Sequence, residues 1–165
     1  MSQITIHSNP INTIGNLPAI GSKAPEFVIV GTDLAPKTLA DYSHKTIILN
    51  VFPSLDTETC ANSVRTFNKQ VGQLEDTVVL CVSKDLPFAH ARFCTTEGLT
   101  DVVGLSDFRT TDFGEAYGLT LIDGPLQGLL ARAVIIIQEG IVVYTQLVPE
   151  ITAEPNYQEV LEFLK

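Results

Sequence analysis

Residues 46–83 read TIILNVFPSLDTETCANSVRTFNKQVGQLEDTVVLCVS. The segment opens with Thr46–Phe52, a near-continuous apolar run of strand length, as expected of a strand covered on both faces. A loop containing Pro53 follows. A helix is then expected from about Thr59 to Leu74, because Val64, Phe67, Val71 and Leu74 step by three or four residues. Cys60 falls on the same stripe, at the first turn. Thr77–Ser83 is a second buried strand. Strand, loop, helix, strand is a β-α-β unit, and it implies a parallel pair.

The pattern extends outward from this unit. Asp85 is expected to cap a helix with Pro87 in its first turn, running to about Glu97 and ending at Gly98. A short strand is expected at Asp101–Leu105 and a short helix at Asp112–Tyr117, with Gly118 as its stop. Ala133–Gln138 and Ile141–Val148 are β-rich and joined by Glu139-Gly140, a tight hairpin signal. Pro155 opens a last helix with Tyr157, Val160, Leu161 and Leu164 on one face. Upstream, Phe27–Val30 reads as a short strand. Ile4 and Ile6, a turn at Ser8-Asn9-Pro10, and Ile11 to Ile14 read as a hairpin. The order from residue 46 is β-α-β-α-β-α-β-β-α. The expected fold is therefore α/β and thioredoxin-like, a central mixed sheet flanked by helices with an added N-terminal β-hairpin.

Composition bounds the function. The chain has 165 residues, which with no repeat, linker or low-complexity tract suggests one domain, 1–165. Lys and Arg number 10 against 19 Asp and Glu, a formal charge of −9, which argues against nucleic-acid binding. Charged residues are 18% and hydrophobic ones 45%, the opposite of a disordered chain. No apolar run approaches the roughly 18 residues of a spanning helix. The start MSQITIHSNP lacks the basic and apolar regions of a signal peptide. The expected compartment is the cytoplasm, where a cysteine pair is more often catalytic or redox-sensing than structural. His7, His44 and His90 are isolated and no Cys or His pair has metal spacing, so no metal site is expected. No glycine-rich phosphate loop is present, and no nucleotide cofactor is expected.

Three cysteines are too few for a disulfide scaffold. Cys81 lies inside the apolar strand and reads as core. Cys60 is the sharpest candidate, since a helix start carries about +0.5 charge and unpaired N–H groups that favour a thiolate. On position alone it reads equally well as a small core residue on the Val64/Phe67 stripe.

The segment from Phe52 to Cys60 resembles the active-site motif of the peroxiredoxins, Pro-x-x-x-Thr/Ser-x-x-Cys, with Pro53, Thr57 and Cys60 at the motif positions. Arg132 opens a late strand where that family keeps its active-site arginine. Asp85–Ala89 through Arg92-Phe93-Cys94 is similar to the resolving-cysteine helix of one subfamily. Gly118–Arg132 and Leu147–Tyr157 are also similar. The resemblance covers essentially the whole chain, and points to the atypical two-cysteine thiol peroxidase subfamily.

The resemblance implies an enzyme that reduces hydroperoxides, organic ones preferred, through a Cys60 sulfenic acid. Cys94 then resolves it as an intramolecular disulfide, and thioredoxin restores the thiols. A homodimer is also implied, built on the surface around the Cys60 loop and Tyr117–Arg132. The chemistry suits the residue types. A thiol of pKa about 8.5 is only some 3% ionised at neutral pH, so ionisation alone supplies about 30-fold. Fixed donors aimed at the leaving oxygen must supply more, each on the order of 100-fold. The expected donors are the Thr57 hydroxyl, the Arg132 guanidinium and the Cys60 backbone N–H, with Pro53 shielding the pocket. Phe52, Leu55 and Phe88 fit an alkyl-lined pocket. Asp56 and Glu58 would oppose a thiolate unless they face solvent or pair with Arg65. Two cysteines at opposite ends of two helices are expected to sit beyond the ~7 Å Cα separation of a disulfide, so a helix must partly unwind. A peroxide sensor passing oxidation to a partner, and a non-catalytic thioredoxin-like binding domain, are the alternatives.

Overall fold

The structure, a computed structural model, describes residues 1–71 and 74–165. Strands β1 (Gln3–Ile6) and β2 (Asn9–Asn12) form a separate antiparallel hairpin. The main sheet contains β3 (Val28–Gly31), β4 (Pro36–Thr38), β5 (Thr46–Val51), β6 (Thr77–Ser83), β7 (Val103–Ser106), β8 (Ala133–Gln138) and β9 (Ile141–Leu147). Their spatial order is β4-β3-β7-β6-β5-β8-β9. Only β5, β6 and β7 run parallel; every other neighbouring pair is antiparallel. The helices are α1 (Glu58–Gln70), α2 (Pro87–Glu97), α3 (Asp112–Ala116) and α4 (Tyr157–Leu164). This is the expected mixed sheet with flanking helices and an added hairpin.

The alternation within β5 explains its burial on both sides. Ile47, Leu49 and Val51 join one apolar layer with Phe27, Leu105, Phe113, Tyr117 and Ile135. Ile48 and Phe52 join the other with Cys60, Val64, Phe67, Cys81 and Val160. Asn50 points into that second layer. Its amide donates to Ser63 Oγ at 3.2 Å, and Cys81 Sγ lies 3.7 Å from the same nitrogen. Full burial of a side chain such as Phe67 stabilises the fold by about 1.5–3 kcal/mol. That layer fixes where the first turn of α1 can sit.

Several local expectations are corrected. Helix α1 begins at Glu58 and stops at Gln70; Val71 is its C-cap and Leu74 is exposed, so the apolar stripe ends one step early. Positions 72 and 73 of the longer expected helix lie outside the described residues. The first hairpin turns at His7 and Ser8, with φ of 48° and 68°, and not at Ser8-Asn9-Pro10. Two residues of positive φ match the twist of a two-residue hairpin turn. Asn9 and Pro10 belong to β2, where Pro10 faces Thr5. Strand β4 and a 3₁₀ turn at Leu39–Tyr42 were not expected. The Glu139-Gly140 turn stands as read, with φ of 50° and 77°. Helix α4 starts two residues after Pro155, capped by Asn156, whose side chain accepts from Glu159 N–H. No helix among the described residues is long and apolar enough to cross a membrane.

Candidate active site

The site lies where β5 delivers the chain into α1, outside the carboxyl ends of the parallel strands. An α/β sheet places its ligands at this end. Thr57 is the N-cap of α1 and Cys60 its third residue. The first N–H to bond back within the helix belongs to Ala61, which donates to Thr57 O at 3.0 Å. The Cys60 N–H therefore has no partner within the helix, as the first turn requires.

Arg132 stands immediately before β8 and comes from across the β5–β8 pair. Its Nη2 donates to Cys60 Sγ at 3.3 Å. Nε and Nη2 both donate to the Ile151 carbonyl, at 3.0 and 2.9 Å, which fixes the plane of the guanidinium. Cys60 is 0% and Arg132 2% exposed. The remaining terminal nitrogen, Arg132 Nη1, is buried with no hydrogen-bond partner among the described residues. A buried cation with one unanswered donor beside a sulfur leaves a place for an incoming acceptor oxygen.

The Ile151 carbonyl is itself held. Ile151 N–H donates to Thr5 O at 2.9 Å, and Thr5 N–H donates to Pro149 O at 2.8 Å. Glu150 accepts from Thr5 Oγ1, Ser8 N–H and Thr152 Oγ1 at 3.0, 2.8 and 2.7 Å. The Ser8 amide is the largest of the contacts that hold the Glu150 carboxyl down at about 2. The N-terminal hairpin thus clamps the segment that orients Arg132. Sequence reading missed this, because a backbone carbonyl carries no side-chain signature.

The other expected residues divide. Pro53 is buried in the loop. Thr57 is exposed, and its hydroxyl donates to Ser54 O at 2.9 Å. Its proton is thus committed, and in this state it offers lone pairs where a donor was expected. Asp56 and Glu58 are exposed. Arg65 pairs with Glu97 and donates to Asn62 Oδ1 at 2.9 Å, so it is not their partner. Asp85 does not cap α2, whose N-cap is Leu86. Its carboxylate instead accepts from Ser54 Oγ and Leu55 N–H, both at 2.8 Å.

Cys60, Cys81 and Cys94 are all free. Cys94 sits on α2, half-buried against the layer that contains Cys60, and burial pushes its thiol up. Cys81 is fully buried and pushed up to about 12, mainly by loss of solvent, against a smaller lowering by the Asn50 hydrogen bond. It is core, as read.

Phe93 and Leu55 line a surface hollow of about 220 Å³ with Asp56, Ala89 and Arg92. Phe88 is exposed and lines the next hollow along α2. A larger hollow of about 720 Å³ lies at the opposite end of β5, beside Thr46 and Gln138, and holds no cysteine. Leu119 and Leu121, within the Tyr117–Arg132 segment that the resemblance places at a homodimer surface, are buried within the chain.

Residues 19–161 match the Redoxin family. The chain is 53% identical over 165 residues to the thiol peroxidases of Mycobacterium tuberculosis (strain ATCC 25618 / H37Rv) and Mycobacterium bovis (strain ATCC BAA-935 / AF2122/97), covering 99% of each partner in the comparison. A crystal structure of a peroxiredoxin-like protein from Aquifex aeolicus superposes with a TM-score of 0.93 at 41% identity, over 99% of this chain and 96% of that one. A thiol peroxidase from Chromobacterium violaceum gives 0.91 over 99% and 96%, and at 20% identity it speaks to the fold. The chain belongs to the redoxin family, among its thiol peroxidases, which are peroxiredoxin-type enzymes acting on peroxides.

Proposed function

We propose that Cys60 is the residue that attacks the peroxide, with Arg132 as its principal electrostatic partner. The observation that carries this reading is the 3.3 Å approach of Arg132 Nη2 to Cys60 Sγ, with Nη1 left without an acceptor among the described residues. The Cys60 thiolate sulfur attacks one oxygen of ROOH. The S–O bond forms as the O–O bond breaks, and the electron pair leaves with RO⁻, which takes a proton to give ROH. Cys60 is left as the sulfenic acid. Developing charge on the leaving oxygen is met by Arg132 and the free Cys60 N–H, fixed donors in a dry site. Thr57, with its own proton on Ser54 O, can accept from the proton-bearing oxygen of the peroxide and so orient it.

Cys94 then attacks the sulfenic sulfur, water leaves, and a Cys60–Cys94 disulfide results. Both sulfurs border one apolar layer, but each is held in a helix, so part of α1 or α2 unwinds for this step. A thioredoxin-type dithiol reduces the disulfide and becomes oxidised in turn. The apolar flank of the loop, Leu55 and Phe93, favours alkyl hydroperoxides over hydrogen peroxide. Leu86 and Phe88, exposed beside the loop, suit burial in a homodimer. The chain acts as one domain, 1–165, in the cytoplasm, where thioredoxin is kept reduced.

The test is turnover of an organic hydroperoxide with thioredoxin and its reductase, comparing wild type with Cys60→Ser. Loss of all turnover in the variant supports the assignment. Retained turnover refutes it.

A further inference from the structure

Asp85 ties three elements together. Its Oδ1 accepts from Ser54 Oγ and its Oδ2 from Leu55 N–H, both in the loop between β5 and α1. Oδ2 also accepts from Ser83 Oγ at 2.5 Å, at the end of β6. Ser83 Oγ lies 3.0 Å from His90 Nε2, on α2. The Asp85 carbonyl accepts from Ser106 Oγ, at the end of β7.

The proton count in this chain is determined. Ser83 has one hydroxyl proton and two lone pairs. The short contact to a carboxylate takes the proton. The lone pairs then accept from Asp85 N–H, at 3.2 Å, and from His90 Nε2. His90 must therefore carry its proton on Nε2. It is buried in this tautomer, with its ring packed against Gly104, where a Cβ would lie 2.8 Å from the His90 Cβ and Nδ1. Ser54 closes the loop side: its Oγ accepts from Asp56 N–H at 3.1 Å, and its carbonyl accepts from Thr57 N–H and Thr57 Oγ1.

We propose that Asp85, backed by Ser83 and His90, is the positioning residue that sets the geometry of the Pro53–Thr57 loop over Cys60 and ties it to the helix that carries Cys94. It acts through Ser54, Leu55 and Thr57 and does not touch the sulfur. His90 precedes Cys94 by four residues, one turn on the same helix face. Unwinding α2 far enough to free Cys94 pulls on the same chain that orders the loop. This inference rests on Cys60 being the attacking residue.

The experiment measures two second-order rates at Cys60 in wild type, Asp85→Ala, Asp85→Asn and Ser83→Ala. One is oxidation by cumene hydroperoxide; the other is alkylation by iodoacetamide, which needs the sulfur but not an oriented O–O bond. Asp85→Ala is expected to slow oxidation by about 100-fold, the scale of a 1 Å misplacement, while alkylation is no slower. Asp85→Asn should recover most of the loss. Its carbonyl can still serve Leu55 and Ser83, and the Ser54 hydroxyl can turn to accept from its amide. Ser83→Ala, which keeps both loop contacts and cuts the link to His90, should fall between, at about 10-fold. If Asp85→Ala fails to fold, Ser83→Ala and Asp85→Asn carry the test. Oxidation at the wild-type rate in Asp85→Ala and Ser83→Ala would overturn the proposal, as would equal slowing of both reactions. Failure of wild-type Cys60 itself to oxidise would instead overturn the assignment of Cys60, and the positioning role with it.

Discussion

Arg132 Nη2 donates to Cys60 Sγ at 3.3 Å inside a site closed to solvent, and the same guanidinium is locked edge-on to the Ile151 carbonyl. The two residues are 72 positions apart in the chain and meet because β8 lies against β5 in the sheet. Replacing Arg132 by Met should lower the rate of Cys60 oxidation by at least about 100-fold, the scale of one lost fixed donor. Arg132→Lys should recover only part, because an ammonium keeps the charge but cannot serve Ile151 and the sulfur as a planar fork. Stopped-flow oxidation by an organic hydroperoxide measures both. Equal rates in wild type and the Met variant would contradict the role.

Cys94→Ser should separate the two halves of the reaction. The first oxidation of Cys60 should proceed at close to the wild-type rate, and turnover with thioredoxin should be lost. Trapping with dimedone should then label Cys60 stoichiometrically. A Cys94→Ser protein that turns over normally would remove Cys94 from the cycle. Cys81→Ala should change neither step.

Gly118 ends α3 with φ of +69°, and a Cβ there would lie 2.2 Å from the Asn16 carbonyl oxygen. The clash is with backbone, so it cannot be relieved by a rotamer change. Gly118→Ala should destabilise the fold by about 2–3 kcal/mol, the upper part of the range for a strained backbone position. Denaturant unfolding reads this as a lower midpoint at unchanged slope. A midpoint shift near zero would contradict it.

His90 is lowered from 6.5 to about 4, chiefly by burial, with the nearby Asp85 charge opposing. The folded chain therefore resists a proton that the unfolded chain accepts. The contribution of neutral His90 to stability is fully present above about pH 6.5 and is lost progressively as pH falls toward 4, by up to about 3 kcal/mol. His90→Gln lacks this titration. The stability gap between wild type and the variant should shrink from pH 7 to pH 4; parallel curves over that range would contradict the assignment.

The central strands were legible because burial on both faces leaves β5, β6 and β8 as near-continuous apolar runs, broken in β5 only by Asn50. The Glu139-Gly140 turn was legible because few residue pairs take positive φ there. The hairpin turn at His7-Ser8 was not, since neither residue advertises that conformation and the adjacent Pro10 does. Leu74 continued the apolar step of α1, but the helix had already ended at Gln70. Of the proposed site, Cys60 and Arg132 could be named from the motif and its resemblance. Asp85 was misread for a physical reason. Its spacing before Pro87 suits a cap, yet a carboxylate gains more from an amide and two hydroxyls converging from the loop and β6. Ile151 acts through its backbone, which no side-chain pattern reports.

Mass spectrometry of the reduced protein after one equivalent of an organic hydroperoxide tests the central claim most directly. Remaining thiols are blocked before digestion. A loss of about 2 Da, with the Cys60 and Cys94 peptides joined and Cys81 still blocked as a thiol, is the expected result. A gain of about 16 or 32 Da on Cys60 without a link would keep Cys60 and discard Cys94. No change at Cys60 would contradict the account.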